Sequence, residues 1–410
     1  MKCSSDVIVI GGGPSGSFCA LNMAKTGIDV AVFEEHGEIG FPCHCAGHLS
    51  INGLKNLGLY PLPKGIVENT FRGIKIYSPK GLELSIRFTS PITCVVNRAL
   101  FDKHISHLAE EAGARYFLGS RVEALIVEGK YVRGVVARGK GEVLEFFGKV
   151  IVNAEGTAYK ILRQAGLSPP SRDSFVYCVN AEVENVENIE PNIVEVFLGN
   201  AYAPGFYAWL IPKGEGKAKV GLGVKTGNPR AFLQKLMHKH PVASKKLGRA
   251  AILQENFHPI PLDGPIKKTY SDGFLAVGDA ASQIKPTTGG GVIFGLNCAR
   301  IAAEVVAEAI NSRDFSSKFL SAYQRRFMQL LGFDVKVMRE ARKMLNMFSD
   351  KELDDLIGFC NKVRLEKSLQ DLREIDFQGR TFLHAWRNPR IMAALVFFLF
   401  ISFGNVLSAH

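Results

Sequence analysis

The chain of 410 residues has no internal repeat and no low-complexity tract, which removes solenoids, arrays and long disordered linkers from consideration. It has no Lys/Arg-rich run, although its formal net charge is +11. Nucleic acid is therefore not an expected partner, and the dispersed positive charge suits lipid head groups, phosphate or an acidic protein carrier. A secretory leader is also missing. After Met1-Lys2 the chain soon enters Val7-Ile8-Val9-Ile10, too short for a signal h-region, so the protein is expected inside the cell. The eight cysteines are scattered and offer no disulfide framework. Cys43, His44, Cys45 and His48 lie close together, but adjacent ligands crowd a tetrahedral ion and no second Cys/His pair has ligand spacing. No metal is expected; a Cys43–Cys45 redox disulfide stays open. What remains is a globular composition, 47% apolar and 22% charged, in a chain long enough for two or three lobes.

Residues 6–16 read DVIVIGGGPSG. The apolar run Val7 to Ile10 shows no alternation, as in a parallel strand buried on both faces. Gly11, Gly13 and Gly16 follow as GxGxxG, then a helix over Ser17 to Lys25, and a strand over Asp29 to Phe33 with Glu34 at its end. This is a dinucleotide-binding β-α-β unit. Gly11 makes the turn, Gly13 lets backbone approach a pyrophosphate, and Gly16 lets helix and strand pack closely. The start of the helix, including Ser15, stabilises the phosphate charge. Glu34, better placed than Glu35, accepts from the adenosine ribose. Gly221-Leu222-Gly223 repeats the spacing but lacks a following helix and acid, and reads as strand.

A second element stands at residues 272–310. Phe274 to Val277 is a short strand, Gly278-Asp279 ends it, and Gly289-Gly290-Gly291 precedes an alanine-rich helix starting at Val292. An acid such as Asp279 can bond a ribityl hydroxyl. Free backbone N–H groups at this glycine-rich helix start suit the flavin edge that becomes negative on reduction. A nicotinamide enzyme has no need of this element, and no second GxGxxG domain is present. The expected cofactor is FAD, reduced by transient NAD(P)H or by a protein carrier such as ferredoxin. Together with Asn97-Arg98, Phe101-Asp102, Asn153-Ala154-Glu155-Gly156-Thr157 and VGDAA, these motifs resemble the para-hydroxybenzoate-hydroxylase-like flavoproteins. That resemblance implies Arg98 near the pyrophosphate. Glu155 stands where the group usually has Asp, in a role of packing and capping.

Two more motifs narrow the resemblance. Phe41-Pro42-Cys43-His44-Cys45-Ala46-Gly47 is similar to the Pro-x-x-Cys-Ala loop of geranylgeranyl reductases, and Phe206-Tyr207-Ala208-Trp209-Leu210-Ile211-Pro212-Lys213-Gly214 to their Tyr-x-Trp-x-x-Pro-Lys-Gly strand. The likeness runs from residue 1 to about 340. It implies a reductase saturating the isoprenoid chains of archaeal ether-lipid precursors, with Glu34, Cys45, Ala46, Arg98, Ala124, Asp279, Gly291 and Val292 as FAD contacts. The family loop commonly continues Cys-Ala-Glu-Gly where this chain has Cys-Ala-Gly-His. An isolated trisubstituted alkene has no carbonyl to draw off electrons, so hydride addition needs a proton delivered in the same event. Cys45 is the candidate donor or shutter; an ordinary thiol, with a pKa of about 8.5, is protonated at neutral pH. Tyr207 and Trp209 would line the substrate tunnel, and Lys213 would meet a phosphate or simply occupy a solvated turn.

The fold class expected is α/β: a Rossmann-like FAD domain over 1–70, 95–165 and 265–330, an antiparallel substrate sheet over 71–94 and 166–264, and a helical region over 331–410. Within the last, Ile391 to Leu407 carries no charge and follows Arg387 and Arg390. At about 1.5 Å per residue it reaches roughly 25 Å, short of the roughly 30 Å hydrocarbon core. It is expected to hold the enzyme on the cytoplasmic side of the membrane; a helix packed on the protein is the alternative. Two other functions remain open: a flavin monooxygenase of aromatic rings, which shares every FAD motif, and a non-catalytic FAD-stabilised scaffold at the membrane.

Overall fold

The computed structural model describes residues 3–139, 141–370, 374–385 and 387–408. The chain forms two compact units: Met1–Cys43, Arg98–Ser174 and Pro261–Val335, and His44–Asn97, Phe175–Ile260 and Lys336–His410. These boundaries differ from those expected. Residues 44–70 join the second unit because His48–Ser50 and Val67–Phe71 both pair with Thr93–Val96. The C-terminal helices form no separate region, since Ile357, Cys360 and Ala394 share an apolar cluster with Leu84 of the second unit.

The first unit is built on an eight-stranded sheet. Its main path runs Tyr270–Ser271, Phe274–Ala276, Glu142–Asn153, Cys3–Ile10, Val30–Phe33, Arg115–Phe117, and the strands Ser120–Glu128 and Tyr131–Gly139 extend Glu142–Asn153 as an antiparallel ribbon. The central strands are parallel. Val7, Ile8, Val9, Val30, Ala31 and Val32 are fully buried, which is why their sequences show no alternation. Helix Pro14–Ala24 packs against helices Arg98–Glu111 and Val292–Ser312. Register places Ile10 beside both Phe33 and Asn153, and Asn153 beside Ala276. Four strands thus end in one row, the carboxyl edge where open α/β sheets hold ligands.

The second unit has a seven-stranded sheet in the order Ala251–Pro261, Phe175–Glu184, Lys217–Val224, Ala208–Gly214, Ile193–Phe197, Gly73–Tyr77, Glu83–Arg87. Against the expected antiparallel pairing, Ile193–Phe197 runs parallel to Gly73–Tyr77. These strands come from distant segments, so no hairpin turn constrains their direction. Val179, Ala181, Leu210, Val220 and Leu222 bury one face against Leu233, Leu236 and Met237 of helix Pro229–Lys239, which Asn228 caps and Pro229 opens.

The apolar C-terminal segment lies in helix Pro389–Ser408, the described part of which packs on the protein. Ile391 and Ala394 are buried, Phe397 stacks on Phe359 at 4.2 Å, and Phe398 meets Phe348 at 5.2 Å. On its outer side Val396 is 59% and Phe400 74% exposed. Among the described residues no helix is long and apolar enough to cross a membrane.

Candidate active site

In the first unit the glycine loop leaves Ile10 at the row of strand ends. Gly11 has φ +97°, and a Cβ there would collide with the Ala154 carbonyl. A Cβ on Gly16 would collide with the Gly11 carbonyl, so helix and turn touch through bare backbone. Gly13 is different: a Cβ would meet nothing within 4 Å. It is the N-cap of helix Pro14–Ala24 and supplies no side-chain cap, which leaves the first N–H groups directed at open space. Glu34 Oε2 accepts the Gly12 N–H at 2.8 Å, and Oε1 lies 2.6 Å from His36 Nδ1. Glu35 instead turns outward to Arg121 at 3.3 Å.

The second element meets the first. A Cβ on Gly278 would stand 2.6 Å from Ser15 Oγ, and Gly295 would collide with the same oxygen, so the two motifs interlock although far apart in sequence. Asp279 lies in the turn Gly278–Ala281, with its Oδ1 3.0 Å from where a Gly291 Cβ would be. Gly291 is the N-cap of helix Val292–Ser312, again without a side-chain cap. Two uncapped helix N-termini and two strand-end carboxylates thus gather at one sheet edge, and this donor set fits a flavin dinucleotide, with phosphate and the ring's anionic edge at helix starts and hydroxyls at acids. Arg98 begins helix Arg98–Glu111 and grips Asp102 through Nε and Nη2 at 3.1 and 2.9 Å. Burial raises the Asp102 carboxyl, against the pull of Arg98. Glu155 accepts the N–H groups of Lys160, Ile161 and Leu162 at 2.7–2.9 Å and so caps helix Lys160–Gln164. Ala124 lies on strand Ser120–Glu128, paired with Val136.

Cys43, the last residue of its segment of the first unit, is half-buried. In the second unit His44, Cys45 and Ala46 are half-buried, and Gly47 N–H points to Cys45 Sγ at 3.4 Å. His44 stacks on His258 at 5.4 Å, and His48 Nε2 lies 2.7 Å from Thr93 Oγ1. Among the described residues no group of three His, Cys, Asp or Glu is placed to hold a metal ion. Ala46 and Trp209 pack against the same apolar cluster of Phe71, Val95, Val194 and Ile211, which brings the cysteine loop and the aromatic strand to one wall. Tyr207 lies against Phe206, ring centroids 4.4 Å apart and tilted by 30°, and meets Trp209 at 5.9 Å; burial raises its phenol. Arg342 lies over Phe206 at 4.7 Å, its pKa lowered by burial to about 10.

Three residues set this wall: Asn180, which sequence reasoning missed, and Gly221 and Gly223, which it read as strand without a role at the site. Asn180 accepts the Trp209 indole N–H at 3.3 Å. A Cβ on Gly221 would meet the Trp209 ring and the Val179 carbonyl, and one on Gly223 would stand 2.6 Å from Phe206 Cδ1 and 2.9 Å from Cys178 Sγ. Glycines two apart in a strand are the signal that could have marked these seats. Lys213 faces neither solvent nor an empty anion site: it pairs with Glu68 at 2.9 Å and Glu182 at 3.1 Å. Burial alone would lower its ammonium, but the two carboxylates hold it above its ordinary value.

The first unit defines the class: residues 6–169 match the model of FAD dependent oxidoreductases, and the protein is an FAD-dependent oxidoreductase. Residues 174–254 match the model of the geranylgeranyl reductase catalytic domain. Digeranylgeranylglycerophospholipid reductase 2 of Methanopyrus kandleri is 37% identical over 358 residues, 86% of this chain and 89% of its own. The digeranylgeranylglycerophospholipid reductase of Methanocaldococcus jannaschii is 36% identical over 354 residues, 86% and 89% of the two chains. A crystal structure of a geranylgeranyl bacteriochlorophyll reductase-like protein from Thermoplasma acidophilum matches with a TM-score of 0.86 at 27% identity, covering 97% of this chain and 100% of that one. The chain belongs to the geranylgeranyl reductase family. A flavin-dependent brominase, 20% identical with a TM-score of 0.67 over 95% of this chain and 94% of its own, shares the fold alone.

Proposed function

We propose that this protein saturates the isolated double bonds of geranylgeranyl chains in archaeal digeranylgeranylglycerophospholipids. The observation that carries the reading is the single apolar wall holding both Ala46 of the cysteine loop and Trp209 of the aromatic strand. Bound FAD, once reduced, supplies a hydride. The chain's own groups do the rest. The helix start at Gly13 to Gly16, with Ser15, receives the pyrophosphate, and Arg98, held in line by Asp102, adds positive charge beside it. Glu34 receives the adenosine ribose and Asp279 the ribityl chain, while Gly291 and Val292 direct N–H groups at the ring edge. Cys45 and Ala46 border the ring and Ala124 borders the cofactor. Tyr207 and Trp209 keep water off the alkene, and Cys45 delivers its proton.

The electron donor in this reading is NAD(P)H or ferredoxin, bound transiently. The membrane contact is peripheral, on the cytoplasmic side: Val396 and Phe400 enter the head-group region while the exposed Arg387 and Arg390 meet lipid phosphate. The deciding experiment is anaerobic. Dithionite-reduced holoprotein is mixed with a geranylgeranyl ether lipid and the products are read by mass. Gain of a hydrogen pair per double bond with reoxidised flavin is expected. A product made only with oxygen would point to the monooxygenase, and a flavin that no alkene reoxidises to the scaffold.

A further inference from the structure

Lys219, on strand Lys217–Val224, is only 3% exposed, so its ammonium lies inside the second unit. Lysine is almost never buried unless its charge is met. Three oxygens meet it here: the Val96 carbonyl at 3.2 Å, Glu68 Oε2 at 3.1 Å and Glu182 Oε1 at 3.9 Å. We propose that Lys219 is a positioning residue, which fixes the end of the cysteine loop so that the Cys45 sulfur is held in place to deliver its proton; this rests on the function proposed above.

The two carboxylates account for the charge. The bond to Val96 accounts for the position. Val96 is the last residue of strand Thr93–Val96, and its N–H donates to the Gly47 carbonyl at 2.9 Å. Gly47 donates its own N–H to Cys45 Sγ at 3.4 Å. The contacts therefore run in one line from the Cys45 sulfur through Gly47 and Val96 to Lys219. Gly47 has φ +75°, where glycine is at ease but has the most freedom to lose. A loop that turns on such a residue takes its single conformation from outside contacts. Strand Thr93–Val96 supplies them, with Val95 opposite His48, and Lys219 anchors the last carbonyl of that strand.

The same strand face serves the other half of the wall. Side chains alternate along a strand, so Lys219 shares its face with Gly221, the seat of Trp209. Glu68 Oε1 meanwhile reaches Lys213, on the strand that carries Trp209, at 2.9 Å. Lys213 and Lys219 are balanced by Glu68 and Glu182, so the cluster offers no net charge to a head group. What it supplies is geometry: it fixes the loop that carries the proton against the strand that shields the alkene.

Two measurements on the flavin-loaded protein test this. Alkylation of Cys45 by iodoacetamide is followed peptide by peptide in a mass spectrometer. In Lys219→Met it should speed up about tenfold, the order expected for loss of one hydrogen bond to a charged group. Lys219→Arg, which keeps a charged donor there, should stay near wild type. So should Glu182→Gln, which touches the cluster but not the Val96 carbonyl. Alkene reduction by Lys219→Met should fall about tenfold in kcat with KM kept, the mark of chemistry misplaced rather than substrate lost. An unchanged Cys45 rate in Lys219→Met, or an equal rise in Glu182→Gln, overturns the proposal. Should Lys219→Met fail to fold with Glu68 short of a partner, Lys219→Met/Glu68→Gln removes both charges and takes its place in the same comparison. If wild type reduces no alkene, the proposed reaction fails, and the Cys45 rates still decide what Lys219 holds.

Discussion

Glycine serves opposite ends in the two units. In the flavin unit Gly11 and Gly16 let backbone meet backbone, and Gly13 leaves room that no protein atom fills. In the sheet unit Gly221 and Gly223 make hollows that the rings of Trp209 and Phe206 occupy. Both places carry GxG, after the apolar run Val7 to Ile10 in one and after Lys217-Ala218-Lys219-Val220 in the other. The next element along the chain decides the meaning: a helix that directs N–H groups outward in one case, a strand that continues in the other. A glycine motif is thus a statement about who uses the missing Cβ, the backbone, a ligand or a neighbouring side chain.

Substitutions at these positions should separate the three uses. Gly16→Val drives a side chain into the Gly11 carbonyl and should abolish folding, a loss above about 4 kcal/mol, seen as insoluble protein or a lost cooperative melt. Gly13→Val meets open space, so it should fold yet carry no FAD, read as missing flavin absorbance in soluble protein. Full FAD occupancy in that variant would falsify the assignment of this loop.

The second effect in size is on turnover. Cys45→Ala should keep its flavin and lose roughly 100-fold or more in alkene reduction, the usual worth of a positioned acid. Cys43→Ala should be milder. Equal rates for Cys45→Ala and wild type remove the proton-donor role.

A third prediction concerns acid. His240 is fully buried; its Nδ1 accepts the N–H groups of Val242 and Ala243, and Nε2 lies 3.3 Å from the Ser78 carbonyl. Burial lowers its pKa to about 4. A depressed imidazole contributes stability above its unfolded value near 6.5, and that contribution drains away as pH falls toward 4. The sheet unit should lose roughly 3 kcal/mol across this window, measured by urea unfolding at several pH values. His240→Gln should flatten the profile; an equally steep profile in the variant assigns the effect elsewhere.

The smallest effect sharpens the opening contrast. Gly223→Ala should cost about 1–3 kcal/mol, the range for an overfilled core, because the nearest atoms its Cβ meets belong to the side chains of Phe206 and Cys178. Adding Phe206→Leu should recover part of the loss in thermal melts. No such relief is expected for Gly16→Val, where the obstacle is backbone.

The flavin unit was largely legible because its signals are local: strand, turn, helix and acid lie within residues 6–34, and Glu34 rather than Glu35 faces the loop. The cysteine loop and the aromatic strand were legible as family patterns. Their partners were not. Asn180 reaches Trp209 and His258 reaches His44 only through strand register between distant segments, and Lys213 looked available until Glu68 arrived from the small three-stranded sheet. The parallel pairing of Ile193–Phe197 with Gly73–Tyr77 is of the same kind. Periodicity gives the face of a strand but not its neighbour.

The sheet order of the flavin unit also constrains how the chain is born. Cys3–Ile10 leaves the ribosome long before its neighbour Glu142–Asn153 and, one place further, Phe274–Ala276. The segment 175–260 appears between them and belongs to the other unit. The nascent flavin sheet must wait, unfinished at its centre, while a sheet of a different unit is synthesised. Pairings this distant are slow to close. A cofactor that binds only the closed form then draws the late equilibrium toward it, so flavin supply during translation should govern how much of the protein matures.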